Sequence, residues 1–185
     1  KNQGPSFCRN LGINNSNGSY VAFLDSDDEW LDFKLKEQVE FMIKNNLDFC
    51  FSDYYKRNLN TGSNSRVKLP ISYSMPFMAF SCAIATPTVI CKKEILRKVG
   101  FRNDIRYGED IICWANISKI TELKSFRKAT TIVNRSINSS STNIKIQLEA
   151  SKNINKYLFE DKKIISLMHK IYFQIRVLLK FVTKI

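Results

Sequence analysis

A short apolar segment that ends in three aspartates places the strongest constraint on the fold of this chain. Residues 20–24 are apolar and predict a buried β-strand, and Asp25, Asp27 and Asp28 follow it directly. Open α/β sheets bind their ligands in the crevice at the carboxyl ends of the strands. Carboxylate oxygens are the ligands that Mg²⁺ and Mn²⁺ prefer, and substrate phosphates commonly complete the coordination shell. The segment therefore predicts an α/β protein with a site for a metal-bridged nucleotide or phosphate.

Helix capping is the main alternative explanation of the acidic segment. Asp28 can cap the helix that follows and favour its positive N-terminal end. Capping accounts for one or two of the acids, but not for Asp25 and Asp27 as well. A calcium-binding EF-hand loop requires Gly at its sixth position and Glu at its twelfth, where this chain has Trp30 and Lys36. An EF-hand is therefore disfavoured, and capping stays open.

The charge and the cysteines narrow the class of protein. The 185 residues carry a net charge of +12, which favours anionic partners such as nucleotide phosphates, anionic lipid or nucleic acid. The five cysteines show no C-x-x-C spacing and lie mostly in apolar runs, which favours reduced core residues of a cytosolic protein. The one histidine, His169, lies in a basic helical segment, so a His-rich metal site is disfavoured. No apolar run reaches the length of a membrane-spanning helix, about 18 residues.

Alternating strand and helix patterns organise the first two thirds of the chain. We expect helices over 4–13, 31–44, 92–99 and 110–120, and strands over 20–24, 47–55, 81–91 and 129–134. The 31–44 helix is expected to have Leu31, Leu35, Val39 and Met42 on one side. The polar segment 56–70 is expected to be a mobile loop, and Pro87 predicts an edge, bulge or bend in its strand. The alternation predicts a layered α/β domain over 1–137, a linker at 138–142, and a helical C-terminal extension within 138–185.

A second acidic pair begins the helix predicted over 110–120. Gly108 is followed by Glu109 and Asp110, and taken alone this pattern favours helix capping. The functional alternative is a carboxylate near the metal site that acts as a general base on a hydroxyl. Trp114 lies on the same helical face as Asp110 and could stack on a sugar, although packing in the core explains it equally well.

Several short motifs follow one another along residues 1–135. They are Gly4-x-Ser6-x-Cys8-Arg9-Asn10-x-Gly12-Ile13, Ser16-x-Gly18, the segment 20–28, Trp30, Lys34, Gln38, Thr86-Pro87-Thr88, Gly100-Phe101 and Tyr107-Gly108-Glu109-Asp110. In type, order and spacing they resemble the family 2 glycosyltransferases of the GT-A fold. The resemblance implies a GT-A-like, Rossmann-related mixed sheet flanked by helices, followed here by a basic helical tail.

The resemblance also implies roles in binding the donor. Asp25 and Asp27 look like the DxD motif, in which Asp27 would hold Mn²⁺ or Mg²⁺ against the donor diphosphate. Asp25 would contact the ribose or the sugar, and the neighbouring Asp28 would support the donor site. Arg9 and Asn10 match a segment that lies near the donor in this family.

For the acceptor, the resemblance implies a base. Asp110 matches the carboxylate that, in inverting members, takes the proton of the acceptor hydroxyl as it attacks the anomeric carbon. Glu109 and Trp114 are candidates for the acceptor side. The chemistry is consistent, because a metal stabilises the leaving nucleoside diphosphate and a positioned carboxylate activates a weak nucleophile. The presence of both acid clusters favours a base over a cap at Asp110.

Two departures from the family pattern matter. Members open with a strand–turn–helix unit that binds the nucleobase, and we expect about 65–80 residues of that unit to lie upstream of this chain. The residues given would then form an N-terminally truncated domain that can lack activity by itself. A third metal ligand is not evident, and His169 is a poor candidate for it.

The tail is basic and amphipathic. Residues 145–185 contain nine Lys or Arg and three acids. Helical spacing lines up Ile164, Leu167, Met168, Ile171, Ile175, Leu178, Val182 and Ile185, with Lys163, Lys170, Lys180 and Lys184 opposite. Such a helix can lie in an anionic membrane interface, or its apolar side can pack on the domain. We expect an anionic membrane surface as a partner of residues 160–185. We also expect the protein to be cytoplasmic and peripheral at the inner face of the cell membrane.

The leading hypothesis is an inverting, metal-dependent glycosyltransferase. It would move a sugar from a UDP-linked donor to a glycan or lipid-linked acceptor in surface polysaccharide biosynthesis. A nucleotidyltransferase is the alternative enzyme, and it would release pyrophosphate instead of a nucleoside diphosphate. A basic nucleic-acid-binding protein is the non-enzymatic alternative. The chain has neither zinc-site spacing nor an RNP-like aromatic pattern, so no nucleic-acid partner is expected.

Overall fold

A computed structural model describes residues 3–136 and 143–182 of the chain, and the backbone alone over 177–182. The helices are α1 (Gly4–Asn15), α2 (Lys34–Lys44), α3 (Phe77–Ser81), α4 (Lys93–Val99), α5 (Glu109–Ile117), α6 (Ile144–Phe159) and α7 (Lys163–Val182). The strands are β1 (Tyr20–Ala22), β2 (Glu29–Trp30), β3 (Phe49–Asn58), β4 (Asn64–Val67), β5 (Ser72–Tyr73), β6 (Ile90–Lys92) and β7 (Leu123–Arg135). The linker predicted at 138–142 lies outside the described residues.

The strands of the described residues form one mixed sheet. Its order is β1-β6-β3-β7-β2, with β4 added on β3 and β5 on β7. The long strands β3 and β7 run parallel at its centre, and every other pairing is antiparallel. Helices pack against this sheet, so the predicted α/β architecture with a mixed sheet is confirmed.

Strong local signals located several elements correctly. Pro5 lies in the first turn of α1, where its fixed φ suits a helix start. Helix α4 ends at Gly100, whose φ is +65° and whose N–H donates to the Leu96 carbonyl at 2.7 Å. A residue with a Cβ is strained at that φ, so glycine ends the helix there.

Two expectations for local structure were wrong in part. Residues 56–70 are not a loop throughout, because β3 continues to Asn58 and returns through a tight turn as β4. The Asn58 side chain accepts hydrogen bonds from the backbone of Asn60 and Thr61, and Gly62 adopts φ +69° in the same turn. Residues 81–91 are not one strand, since Thr86–Thr88 form a 3₁₀ turn before β6, which confirms the bend predicted at Pro87. Their apolar character reflects burial in the core, which periodicity alone cannot distinguish from extension.

Helix α2 buries a face that its leucines do not predict. Lys34, Gln38 and Met42 are each 0% exposed, whereas Leu35 is 46% exposed. Of the residues on the predicted apolar side, Met42 is buried and Val39 packs partly on the core, whereas Leu35 is exposed. The polar side chains are tolerated inside because they bond to one another and to backbone carbonyls, as described below.

A cluster of aromatic side chains connects the two parts of the chain that carry the acidic segments. Phe23, Phe49, Phe101 and Trp114 pack with ring centroids 5.2–6.0 Å apart. Phe23 lies two residues before Asp25, and Trp114 lies one turn after the start of α5. Packing of these rings therefore fixes the end of β1 relative to the N-terminus of α5.

Helices α6 and α7 pack on the rest of the described chain. Asn153 Nδ2 donates to the Tyr107 carbonyl at 3.0 Å, and a Cβ at Gly108 would lie 3.2 Å from the Ala150 carbonyl oxygen. His169 of α7 is buried with Nε2 3.2 Å from the Ala79 carbonyl oxygen. These contacts run close to α5. The division of the chain into a domain at 1–137 and an extension at 138–185 stays a prediction.

Candidate functional site

The acidic segment forms a turn between β1 and β2 that strand β7 holds in place. The Asp28 N–H donates to the Asp25 carbonyl at 3.0 Å. The Asn134 backbone N–H donates to Asp28 Oδ1 at 2.8 Å, and Asn134 Nδ2 donates to the Asp27 carbonyl at 2.6 Å. These bonds engage the Asp28 carboxylate with the protein itself, while the Asp27 side chain faces solvent. Asn134 follows Asp28 by 106 residues, so no local pattern could have indicated its role.

The carboxylates of this turn differ in their surroundings. The pKa of Asp28 is raised to about 6, mainly by burial and in smaller part by the Asp27 and Asp25 charges. The Asn134 hydrogen bond and Arg135 oppose the rise. The Asp25 side chain remains 39% exposed. Asp25 and Asp27 thus offer accessible carboxylate oxygens, and Asp28 serves mainly to shape the turn.

One arginine connects the two acidic segments. Arg9 of α1 donates from one guanidinium nitrogen to Asp25 Oδ1 at 3.1 Å and from the other to Glu109 Oε1 at 2.9 Å. Its guanidinium also lies 5.4 Å from the centroid of the Phe101 ring. The Arg9 side chain is only 15% exposed, and the charges of Asp25, Glu109 and Asp110 raise its pKa despite burial. Residues from three motifs are therefore in one electrostatic cluster.

At the start of α5, Glu109 is buried and Asp110 is half-buried. Burial raises the pKa of Glu109 to about 7, and the Asp110 charge adds to this effect while Arg9 opposes it. Burial also raises the pKa of Asp110, whose Oδ1 accepts a hydrogen bond from the Ile111 N–H at 2.7 Å. A carboxylate with a raised pKa holds a proton more readily, which is the property required of a general base.

The acceptor-side expectations for Glu109 and Trp114 need correction. The Glu109 carboxylate is bound to Arg9, so it positions that arginine instead of facing an acceptor freely. Trp114 is 0% exposed inside the aromatic cluster and offers no ring face to a sugar. Its indole N–H has no hydrogen-bond partner among the described residues. Core packing, the alternative explanation for Trp114, is correct.

Asn10 also has an internal role. Its Nδ2 donates to the Phe101 carbonyl at 2.7 Å, and its Oδ1 accepts from the Phe101 N–H at 2.8 Å. This pair of bonds ties α1 to the segment after Gly100. Asn10 Nδ2 also donates to Asn103 Oδ1 at 3.2 Å, so both amide N–H groups are used within the protein. Asn10 thus fits a residue that fixes the position of its neighbour Arg9.

Several other motif residues form a second cluster, which contains no carboxylate. Lys34 Nζ donates to Gln38 Oε1 at 2.8 Å and to the Thr88 carbonyl at 3.2 Å, and burial lowers the pKa of Lys34 to about 7. Gln38 Nε2 donates to the same Thr88 carbonyl at 3.0 Å. Trp30 Nε1 donates to the Pro87 carbonyl at 2.9 Å. This cluster attaches the 3₁₀ turn to the segment that directly follows the acidic turn.

A metal ion fits the acidic turn only together with a substrate. Within the described residues, no group of three or more His, Cys, Asp or Glu side chains is arranged to hold a metal. Mg²⁺ usually binds through one or two carboxylates plus substrate phosphates, so a complete protein cage is not required. The accessible oxygens of Asp25 and Asp27 suit that kind of shared coordination.

A mixed α/β sheet with accessible carboxylates after one strand, and an acidic pair nearby, is the arrangement of a GT-A type of fold. The chain belongs to the family described as "Glycosyl transferase family 2", whose model matches residues 1–103. It is 39% identical over 126 residues to an uncharacterized glycosyltransferase of Rickettsia bellii, covering 64% of this chain and 17% of that protein. It is 30% identical to the Escherichia coli protein named UDP-Glc:alpha-D-GlcNAc-diphosphoundecaprenol beta-1,3-glucosyltransferase WfgD, covering 63% of this chain and 45% of WfgD.

The fold is similar to that of a solved crystal structure. The crystal structure of residues 1–349 of TarS from S. aureus superposes with a TM-score of 0.61 at 17% identity, covering 86% of this chain and 46% of the TarS chain. At this identity the likeness concerns the fold, and it confirms the GT-A-like architecture. The chain spans less than half the length of each of these proteins.

Proposed function

We propose that the protein containing this chain is an inverting, metal-dependent glycosyltransferase. It moves a sugar from a UDP-linked donor to a hydroxyl of a glycan or lipid-linked acceptor in surface polysaccharide biosynthesis. The observation that carries this proposal is the Arg9 bridge, which brings Asp25 and the Glu109–Asp110 pair together from segments far apart in sequence. Capping alone would not require such a connection.

In the proposed reaction, the acceptor hydroxyl oxygen attacks the anomeric carbon of the donor sugar. The bond from that carbon to the phosphate oxygen breaks, and the nucleoside diphosphate leaves with the electron pair. Asp110 takes the hydroxyl proton, and the raised pKa of its buried carboxyl favours this transfer. Asp27 would hold Mn²⁺ or Mg²⁺, which supplies electrostatic stabilisation of the leaving diphosphate. Arg9 and Asp25 orient the donor beside the base.

The names of similar proteins support the substrate classes. WfgD is named for transfer from UDP-Glc to a diphosphoundecaprenol-linked sugar. A Bacillus subtilis relative, 31% identical over 120 residues, is named as a putative teichuronic acid biosynthesis glycosyltransferase, TuaG. TarS has been solved in complex with UDP. Membership of family 2 argues against a nucleotidyltransferase and against a nucleic-acid-binding protein.

The place of action follows from the acceptor. No helix among the described residues is long and apolar enough to cross a bilayer. A protein that extends a lipid-linked glycan must reach the membrane surface, so we infer peripheral action at the inner face of the cell membrane.

Nucleotide binding tests the donor site directly. Thermal unfolding of the full-length protein is measured with UDP, GDP or CMP, each with and without Mn²⁺. UDP at about 100 times its Kd should stabilise the protein by about 2.7 kcal/mol when Mn²⁺ is present. Asp27→Ala should abolish this shift, whereas Asp32→Ala, an exposed acid beyond the turn, should retain it. A UDP shift independent of Mn²⁺ and of Asp27 would contradict the metal assignment.

The base is tested by Asp110→Asn. We expect kcat to fall by about 10²–10⁴-fold while the UDP-dependent stabilisation persists, because the amide keeps the shape but cannot accept the proton. Sugar transfer at an unchanged rate would remove Asp110 from this role.

A further inference from the structure

Helix α7 has two faces with different surroundings. One face packs on the protein through His169, which is 1% exposed and whose ring lies 5.4 Å from that of Phe80 and 5.7 Å from that of Phe159. The other face is the apolar stripe of Ile164 (77% exposed), Leu167 (59%), Met168 (57%), Ile171 (47%) and Ile175 (51%). The apolar face predicted from the sequence is therefore exposed in the described part of the protein.

A basic groove borders this stripe. It lies between α6 and α7 and is lined by Ser151, Lys152, Asn155, Lys156, Glu160 and Lys170. Three of these residues are lysines and one is an acid, and among the described residues none of the three lysines forms an ion pair. We call Lys152, Lys156 and Lys170 the lysine groove. Lys170 directly precedes Ile171, so the groove and the apolar stripe meet on α7.

The distribution of charge favours an anionic lipid surface as the occupant. Residues 162–185 contain no Asp or Glu. On a helix with 100° per residue, Lys163 and Lys170 lie about 40–60° beyond Leu167, along one edge of the apolar stripe. An apolar stripe with cations along its edge suits a bilayer interface, where acyl chains meet anionic headgroups.

We propose that the α6–α7 helical hairpin is a membrane-binding surface for anionic lipid. The apolar stripe enters the boundary between headgroups and acyl chains, and the lysine groove binds headgroup phosphates. The inference rests on the proposed action at the membrane, but not on the sugar-transfer chemistry. Because α6 packs directly against Gly108 at the start of α5, the hairpin would also fix the orientation of Asp110 relative to the membrane surface.

Vesicle flotation tests the surface with two independent variants. Full-length protein is mixed with vesicles of phosphatidylcholine alone or of phosphatidylcholine with phosphatidylglycerol. The variant Lys152→Gln/Lys156→Gln/Lys170→Gln should bind the anionic vesicles about a hundredfold more weakly, at about fivefold per lysine. The variant Leu167→Ser/Ile171→Ser should also lose flotation. Both sites are exposed, so folding should be retained, and UDP-dependent stabilisation of each variant checks this separately.

The matched control is Lys36→Gln/Lys44→Gln/Lys98→Gln, which removes the same charge from exposed positions elsewhere. We expect it to float nearly like the wild type. Equal flotation of the wild type, the lysine-groove variant and the Leu167→Ser/Ile171→Ser variant would overturn the proposal, as would wild-type protein that does not bind anionic vesicles. A stripe covered by a second copy would also overturn it, and would appear as a dimer that Leu167→Ser/Ile171→Ser converts to a monomer. UDP binding without flotation would reject this surface and leave the transferase proposal standing.

Discussion

The Arg9 and Lys34 regions both bury a cation, but they balance its charge in opposite ways. Arg9 contacts two carboxylates and lies near a third, and its pKa is raised. Lys34 is 0% exposed and donates only to neutral oxygens, so burial lowers its pKa to about 7. A buried charge without a counter-ion is costly and tends to be neutralised by proton loss. The Arg9 cluster is thus suited to bind a ligand and take part in a reaction. The Lys34 cluster is suited to hold the backbone in place.

The difference predicts the largest stability effect at Arg9. Arg9→Met leaves Glu109 and Asp110 buried without their cation, and we expect a loss of about 3 kcal/mol near pH 8. Most of this loss should come from Glu109, because water screens the half-exposed Asp25. Glu109 already has a raised pKa of about 7 in the fold, compared with 4.5 ordinarily. A carboxyl group whose pKa is raised in the fold makes the protein less stable as the pH rises through that raised pKa, because the buried group then becomes charged. The destabilisation caused by Arg9→Met should therefore be smaller at pH 5 than at pH 8.

Urea unfolding at pH 5 and pH 8 measures this effect. Arg9→Lys is the matched variant, since it keeps the charge but not the fork that reaches two carboxylates, and it should fall between wild type and Arg9→Met. A pH-independent loss in Arg9→Met would mean that the arginine acts through packing and not through charge.

A smaller effect of opposite sign with pH is expected at Lys34. Its pKa is lowered from 10.5 to about 7 in the fold, so the unfolded chain binds more protons between these values. Stability of the wild type should therefore gain from this residue as pH rises, by about 2 kcal/mol between pH 7 and 9. Lys34→Met should lack that gain. Its free energy of unfolding relative to wild type should therefore be higher at pH 7 than at pH 9.

The exposed Lys36 on the same helix provides the control. Comparing the stability of Lys34→Met and Lys36→Met with that of wild type cancels other groups that titrate in this range, including the cysteines. If the two variants share one pH profile, Lys34 remains charged in the fold, and the contrast with Arg9 disappears.

The same two regions show what sequence could and could not predict. The strand at 20–22, the helix at Lys93–Val99 and the acidic clusters follow from local patterns, because apolar runs and glycine stops act over a few residues. Trp30, Lys34, Gln38 and the Thr86–Thr88 turn were recognised as motif residues, but their contacts span about 50 residues and have no local signature. The burial of Lys34 in place of Leu35 reverses what hydrophobicity predicts, since hydrogen-bond partners from another element decide it.

Asn134 should show the smallest effect on stability, but a selective one on the donor site. Asn134→Ala removes the hydrogen bond from Nδ2 to the Asp27 carbonyl and keeps the backbone bond to Asp28. We expect a loss of about 1 kcal/mol in unfolding free energy and about tenfold weaker Mn²⁺–UDP binding by calorimetry, as for other residues that orient a ligand. Asn45→Ala removes a similar bond to the Phe41 carbonyl at the end of α2 and should affect stability alone. If both variants bind Mn²⁺–UDP equally well, the turn keeps its shape through the Asp28 bond, and the donor site depends on the Arg9 cluster alone.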